Sequence, residues 1–215
     1  MYLENMQGRF QWFGHYLRVG WLGSIEIRVH WAAMLVTVGL VAFGHPGLWL
    51  GLASLVLVHE LGHAFFARRA SLAVSHIALH GLGGRCAYFG DWGTPWNHAV
   101  IAWGGVLFQA ALLIPAIAAA TLLPAQESWL GLQLESLLAV WVRLNLALIV
   151  LNLIPVAPLD GATAWRLVPM LPARLRAARR ASTQRREDSE RAASTRQRVA
   201  HNRAKARGLR VVDRD

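Results

Sequence analysis

The stretch that decides the fold is Gly47–Ala67, GLWLGLASLVLVHELGHAFFA, in which the only ionisable side chains are His59, Glu60 and His63. A membrane-spanning helix needs about 20 mostly apolar residues, because the ~30 Å hydrocarbon core is crossed at ~1.5 Å per residue. Ionisable groups inside such a helix are costly unless they are paired or bound to a metal. The stretch therefore predicts a membrane span that carries a functional site.

Three other apolar stretches surround this one: Val29–Phe43, Ala99–Leu123 and Leu130–Ile154. The first of them is marginal in length. A chain of 215 residues with 55% hydrophobic and 16% charged residues is too short to hide four such helices from water. The sequence predicts an all-α polytopic membrane protein with about four transmembrane helices. Between spans two and three, residues 72–90 alternate imperfectly and then become glycine-rich, which predicts a short β-hairpin.

The distribution of arginines predicts the orientation in the membrane. Basic residues precede span one, lie between spans two and three, and follow span four, whereas the other two connections contain none. Cytoplasmic loops carry the excess of Lys and Arg. The expected protein is a multi-pass protein of the cell membrane with both termini in the cytoplasm. It divides into a cytoplasmic segment (1–28), a membrane-embedded core (29–171) and a tail (172–215).

The tail carries most of the positive charge of the protein. It holds 14 of the 22 Lys and Arg but only 5 of the 12 Asp and Glu. With few apolar residues it is expected to be a solvated helix or disordered, and to lie on the anionic lipid of the cytoplasmic leaflet. Nucleic-acid binding is a minor alternative, because no aromatic residue is interleaved with the arginines.

His59, Glu60 and His63 have the spacing of a zinc site. Residues four apart lie on the same face of a helix, so both imidazoles reach one Zn²⁺ at ~2.0–2.1 Å. Glu60, beside the first histidine, is placed to take a proton from a metal-bound water. The chain has one cysteine, which excludes a cysteine-based zinc site. The alternative is that these groups form helix-to-helix hydrogen bonds without a metal.

A catalytic zinc needs a third protein ligand, and Asp160 is the candidate. It lies in the stretch 152–161, NLIPVAPLDG, whose two prolines end a regular helix. Its carboxylate is expected near the depth of the two histidines. Two alternatives stay open: Asp160 caps a short helix over Ala162–Leu171, or one of three other histidines is the third ligand: His30, His76 and His80.

Taken together, the HELGH motif (59–63) and the stretch from Asn152 to Asp160-Gly161 resemble the site-2 protease family of intramembrane zinc metalloproteases. The resemblance covers roughly residues 25–165. It implies one zinc ion per chain held by His59, His63 and Asp160, with Glu60 as general base. It also implies a substrate that is itself membrane-spanning and is cut in or near the bilayer. The match is weaker in span three, where Gln109 departs from the family pattern and is given no role.

The function expected from the sequence is therefore intramembrane zinc proteolysis that releases a cytoplasmic domain from a membrane-tethered protein. Asn152 is expected to hydrogen-bond an extended substrate or the tetrahedral intermediate. The 72–90 hairpin could offer free strand edges to such a substrate. The alternative is a non-catalytic multispanning protein that binds zinc or a partner's transmembrane helix. No function is assigned to Arg143, and the sequence predicts no oligomeric state.

Overall fold

The computed structural model describes residues 11–81, 83–89, 93–124 and 127–212. The chain forms two compact units that divide after Leu167. The first unit combines a small sheet with a bundle of apolar helices. The second unit is one long helix, described by itself below.

The sheet has five strands in sequential order, with β3 and β4 parallel and the other neighbours antiparallel. They are β1 (Gln11–Phe13), β2 (Tyr16–Leu22), β3 (Ile25–His30), β4 (Val74–His80) and β5 (Gly83–Tyr88). The hairpin expected between spans two and three is present as β4 and β5. The all-α expectation underestimated the strand content, because residues 11–30, assigned to a cytoplasmic segment and the start of span one, form three further strands. The missed signal is the alternation of Ile25, Ile27 and Val29 with Glu26 and Arg28, which is the period of a strand.

The helices of the first unit follow the apolar stretches, with changed boundaries. They are α1 (Trp31–Ala42), α2 (Pro46–Arg69), α3 (Pro95–Leu122), α4 (Trp129–Ala139), a π-helical turn (Val140–Leu144), α5 (Asn145–Asn152) and α6 (Gly161–Ala164). In the described part of the chain, three helical segments are long and apolar enough to cross a membrane: Pro46–Arg69, Pro95–Leu122 and Trp129–Asn152. The protein is a membrane protein.

The predicted span over Val29–Phe43 is not confirmed. The apolar helix there, α1, has 12 residues, or ~18 Å at 1.5 Å per residue. The first two residues of the predicted span belong to β3 instead, where Val29 pairs with Leu79 of β4. The start of this stretch forms a strand and not a helix, because pairing with β4 satisfies the backbone hydrogen-bonding groups of these residues.

Glycines allow the helices to approach closely where the site is built. A Cβ on Gly62 of α2 would overlap the backbone of Gly104 in α3, and a Cβ on Gly104 would overlap the backbone of Gly62. Nearer the start of α2, Gly47 lies against the backbone of Gln133 in α4, where the Gln133 side chain accepts a 3.0 Å hydrogen bond from the Gly47 amide. Small residues allow this close packing in membranes, where lipid gives no hydrophobic drive for association. Helix α2 is thereby fixed between α3 and α4.

The second unit begins at Val168, and its described residues belong to the helix α7 (Leu167–Val212). Of the two states expected for the basic tail, the described residues adopt the helical one. Its residues from 172 to 207 are all exposed, and the arginines within that range therefore face solvent.

Candidate active site

Three potential metal ligands meet between α2 and the segment that follows α5. His59 Nε2 and His63 Nε2 lie 3.0 Å apart, and Asp160 Oδ2 lies 3.0 Å from the first and 3.2 Å from the second. Ligands of a tetrahedral zinc at ~2.0–2.1 Å are separated by about 3.3 Å. Within the described residues, this is the group of three that could hold a metal ion.

The other nitrogen of each ring is held by an oxygen of α3. His63 Nδ1 is 2.8 Å from the carbonyl oxygen of Ile101, and His59 Nδ1 is 3.0 Å from Gln109 Oε1. An Nδ1–H that donates to such an oxygen leaves the Nε2 lone pair for the metal. The donor set, its spacing and the ring tautomers thus fit a zinc ion with a fourth position left for water.

Asp160 reaches the histidines because the chain turns back after α5. It is the residue before α6, yet its side chain makes no capping hydrogen bond. Burial acts to raise its pKa, but the two imidazoles beside the carboxylate outweigh burial and hold the pKa below its usual range. The carboxylate is ionised and turned toward the imidazoles, in the position expected of a third metal ligand.

Glu60 lies on the side of α2 that faces strand β5. It is 4% exposed, and a Cβ on Gly84 would come within 2.6 Å of Glu60 Cγ. Any other residue at this position would force the Glu60 side chain to shift. The carboxylate of Glu60 is therefore enclosed between the histidine pair and the backbone of an edge strand.

A cavity of about 480 Å³ joins these groups. His59, Glu60, His63 and Asp160 all line it. Asn152, the last residue of α5, lines the same cavity, as do Gly83 to Cys86 of β5. All five residues predicted for the site therefore border one cavity: His59, Glu60, His63, Asp160 and Asn152.

Cys86 also borders this cavity. Burial, with the Glu60 charge adding to it, raises the pKa of the Cys86 thiol to about 12, so this cysteine is a neutral thiol.

The three alternative histidines have other partners. His30 caps α1, because its Nδ1 atom accepts a 3.2 Å hydrogen bond from the backbone amide of Ala32. His80 Nδ1 lies 3.4 Å from the Tyr16 hydroxyl, and His76 Nδ1 lies 3.0 Å from Ser75 Oγ. None of the three belongs to the group around Asp160. Arg143, exposed in the π-helical turn, does not line the cavity either.

Gln109, which was given no role from the sequence, contacts the candidate site. Its side chain is 1% exposed and contacts His59, and its own backbone carbonyl accepts a 2.9 Å hydrogen bond from Asn145 Nδ2. Asn145 is fully buried directly after the π-helical turn, a distortion often found at functional sites. Both residues are buried polar groups inside apolar helices, which is the signal that could have placed them at the site.

Replacing Gln109 with leucine is expected to weaken zinc binding by about 10–100-fold, the usual effect of losing the outer partner of a metal-ligating histidine. Leucine has a similar volume but no oxygen to orient the His59 ring. Gln109→Glu keeps an acceptor oxygen and is the matched control, expected to bind zinc more tightly than the leucine variant. Competition with a fluorescent zinc chelator measures both. Equal affinity of Gln109→Leu and the unaltered protein would contradict this function of Gln109.

Comparison with known proteins agrees with this geometry. No protein-family model matches the chain. "Putative zinc metalloprotease Rip3" of Mycobacterium tuberculosis is 31% identical over 69% of this chain and 43% of the relative. "Putative zinc metalloprotease sll0528" of Synechocystis is 29% identical over 53% of this chain and 28% of the relative. The chain thus spans less than half the length of either relative.

A solved structure shares the fold. The site-2 protease from Methanocaldococcus jannaschii aligns with a TM-score of 0.55 and 23% identity over 72% of each chain. The chain shares the fold of this site-2 protease, and the curated relatives that it is similar to in sequence are putative zinc metalloproteases. These similarities agree with the resemblance seen in the HELGH motif and in Asn152 to Gly161. The spacing and side-chain chemistry of the ligand group fit zinc.

Proposed function

We propose that this protein is a zinc-dependent intramembrane endopeptidase. It would hydrolyse peptide bonds in or near the transmembrane segments of membrane-tethered proteins and release a cytoplasmic domain. The observation that carries the proposal is that Glu60 lines the same cavity as the three potential ligands. A site that only binds metal has no need of a buried carboxylate in that position. One zinc ion per chain would be held by His59, His63 and Asp160.

When bound, zinc lowers the pKa of water toward ~7 and polarises the scissile carbonyl. Glu60 accepts the proton of the attacking water and later passes it to the leaving nitrogen. His59 and His63 hold their Nε2 atoms in place through the α3 oxygens described above, so little reorganisation accompanies the reaction. The cavity supplies the polar, water-accessible space that hydrolysis needs inside apolar surroundings.

A substrate helix must unwind before it is cut, because its carbonyls are occupied in intrahelical hydrogen bonds. Strand β5 is the last strand of the sheet, and its residues Gly83 to Cys86 border the cavity. An extended substrate segment could pair with this edge in the manner of strand addition. Gly84 would then bring the backbone of that segment close to Glu60.

Asn152→Ala is expected to lower the cleavage rate by about 10-fold or more, since one hydrogen bond to the substrate or to developing charge is lost. Asn152 lines the cavity but lies outside the ligand group, so bound zinc should stay at the level of the unaltered protein. Cleavage of a single-span substrate and zinc content are measured on the same preparation. Loss of zinc together with activity would assign Asn152 to metal binding instead.

The orientation is part of the proposal. Both termini are placed in the cytoplasm on the distribution of arginines, and this requires an even number of crossings. Helix α1 would be the additional span, together with the flanking residues. Its surface supports contact with lipid, since Leu35 and Val38 are 61% and 64% exposed, and Phe43, which follows the helix, is 82% exposed. Local thinning of the bilayer accommodates a helix this short. The arginines of α7 would then lie against anionic cytoplasmic lipid.

The proposal is tested by reconstituting the full chain in detergent with model single-span substrates. Cleavage is expected with zinc present, to be lost after treatment with a zinc chelator, and to return when zinc is added. Failure of zinc to restore cleavage would rule out a zinc-dependent enzyme. Tight zinc binding without cleavage of any substrate would favour the non-catalytic alternative, a protein that binds zinc or a partner's transmembrane helix.

A further inference from the structure

A second cavity, of about 360 Å³, lies beside the catalytic one. Its walls come from α1, α2, the end of β4, and the turn and helix that follow α4. The side chains that form it are almost all apolar, among them Val36, Leu52, Ala53, Leu79 and Leu144. We refer to it as the apolar cavity. Neither the ligand group nor Glu60 lines it.

The apolar cavity adjoins the catalytic cavity at two side chains, Val56 and Leu148, which line both. Val56 precedes His59 by three residues on α2, or ~4.5 Å along the helix. Leu148 lies one turn before Asn152 on α5. An extended chain rises ~3.3 Å per residue. A substrate residue one or two positions from the scissile bond would therefore lie next to the apolar cavity.

We propose that the apolar cavity is a specificity subsite that takes one large aliphatic or aromatic side chain of the substrate, next to the scissile bond. This inference rests on the proposed proteolytic function and adds the substrate feature that the site selects. The occupant is a substrate side chain because the apolar cavity borders the space where the peptide bond is cut, with Val56 and Leu148 lining both. Its apolar lining matches a substrate whose membrane-embedded segment is rich in such side chains.

A hydrogen bond between α1 and α2 holds one wall of the apolar cavity in place. Trp49 Nε1 on α2 donates a 2.7 Å hydrogen bond to Thr37 Oγ1 on α1, and both residues line the apolar cavity. Leu144 and Leu148, four residues apart across the end of the π-helical turn, line the same cavity. A pocket with fixed walls discriminates side chains by size, typically by about 10–200-fold for small differences in a hydrophobic group.

The test compares two single-span substrates that differ only in Leu or Ala at the residue beside the scissile bond. Both residues are strong helix formers, so unwinding is matched. The unaltered protein is expected to have a kcat/KM at least about 10-fold higher for the Leu substrate. Ala53→Phe fills the apolar cavity from α2, and Ala33→Phe fills it from α1; each should bring the Leu-to-Ala ratio to about one. Ala118→Phe, exposed on α3, is the matched control and should leave the ratio unchanged.

A second measurement does not need cleavage and separates this inference from the proposed function. In the Glu60→Gln protein, a substrate peptide with a photoreactive phenylalanine beside the scissile bond should crosslink to α1 or α2 at the apolar cavity. Ala53→Phe or Ala33→Phe should reduce that crosslinking by about 10-fold. Crosslinking that is unaffected by either variant, or a Leu-to-Ala ratio that both variants retain, would overturn the assignment. Crosslinking at the apolar cavity without cleavage by the unaltered protein would support the subsite and contradict the protease.

Discussion

Glu60→Gln is expected to lower cleavage of a reconstituted single-span substrate by about 10²–10⁴-fold, the contribution of a positioned general base. Glutamine has nearly the same shape but does not accept the proton of the attacking water. Because Glu60 is not one of the three grouped ligands, zinc content should stay at the level of the unaltered protein. Cleavage is followed on gels over time, and zinc is measured on the same purified sample.

The control for this prediction is a glutamate at a place where charge is not needed for chemistry. Glu135 lies on α4 within another candidate span and is exposed, so Glu135→Gln makes the same chemical change away from the cavity. It should cleave like the unaltered protein. Equal cleavage by the Glu60→Gln and Glu135→Gln proteins would remove the general base, and the enzyme interpretation with it.

The features that could be predicted from sequence are those fixed by short spacing within one element. His59 and His63 share a helical face because they are four residues apart, and the apolar length of Gly47–Ala67 predicted the helix that carries them. The hairpin β4–β5 followed from a glycine-rich break between two short runs. The position of Asp160 was the hardest to predict, because it depends on how the chain turns after α5. In the structure, Asp160 Oδ2 lies 3.0 Å from His59 Nε2.

The features that escaped prediction depend on contacts between elements. Residues 11–30 join the sheet because β3 pairs with β4, about 50 residues further along the chain, and no local pattern specifies that partner. The contact between Gln109 and His59 likewise depends on the close crossing of α2 and α3 at Gly62 and Gly104. Sequence spacing predicts which residues share a face, whereas the partner of that face depends on the packing of the whole bundle.

Asp160→Asn is expected to weaken zinc binding by more than about 100-fold, since loss of an outer partner alone typically weakens it by 10–100-fold. The amide keeps the shape of the side chain but removes the negative charge that the ion would contact. Cleavage should fall in parallel, to the residual zinc content. Zinc affinity is measured by chelator competition, with cleavage assayed in excess zinc.

Asp188→Asn on α7 is the matched control, because this aspartate is exposed on the second unit and bonds only Gln184 among its described contacts. The predictions for Glu60 and Asp160 are then distinguished by whether the variant protein keeps its zinc. Loss of Glu60 should remove cleavage and leave zinc, whereas loss of Asp160 should remove both. If Asp160→Asn kept its zinc, the cavity would have to draw its third ligand from elsewhere. The three alternative histidines do not offer one, because His30, His76 and His80 lie outside the group. Retained zinc would therefore contradict the assignment of the site itself, whereas loss of zinc with the protein still folded would tie the metal to this carboxylate.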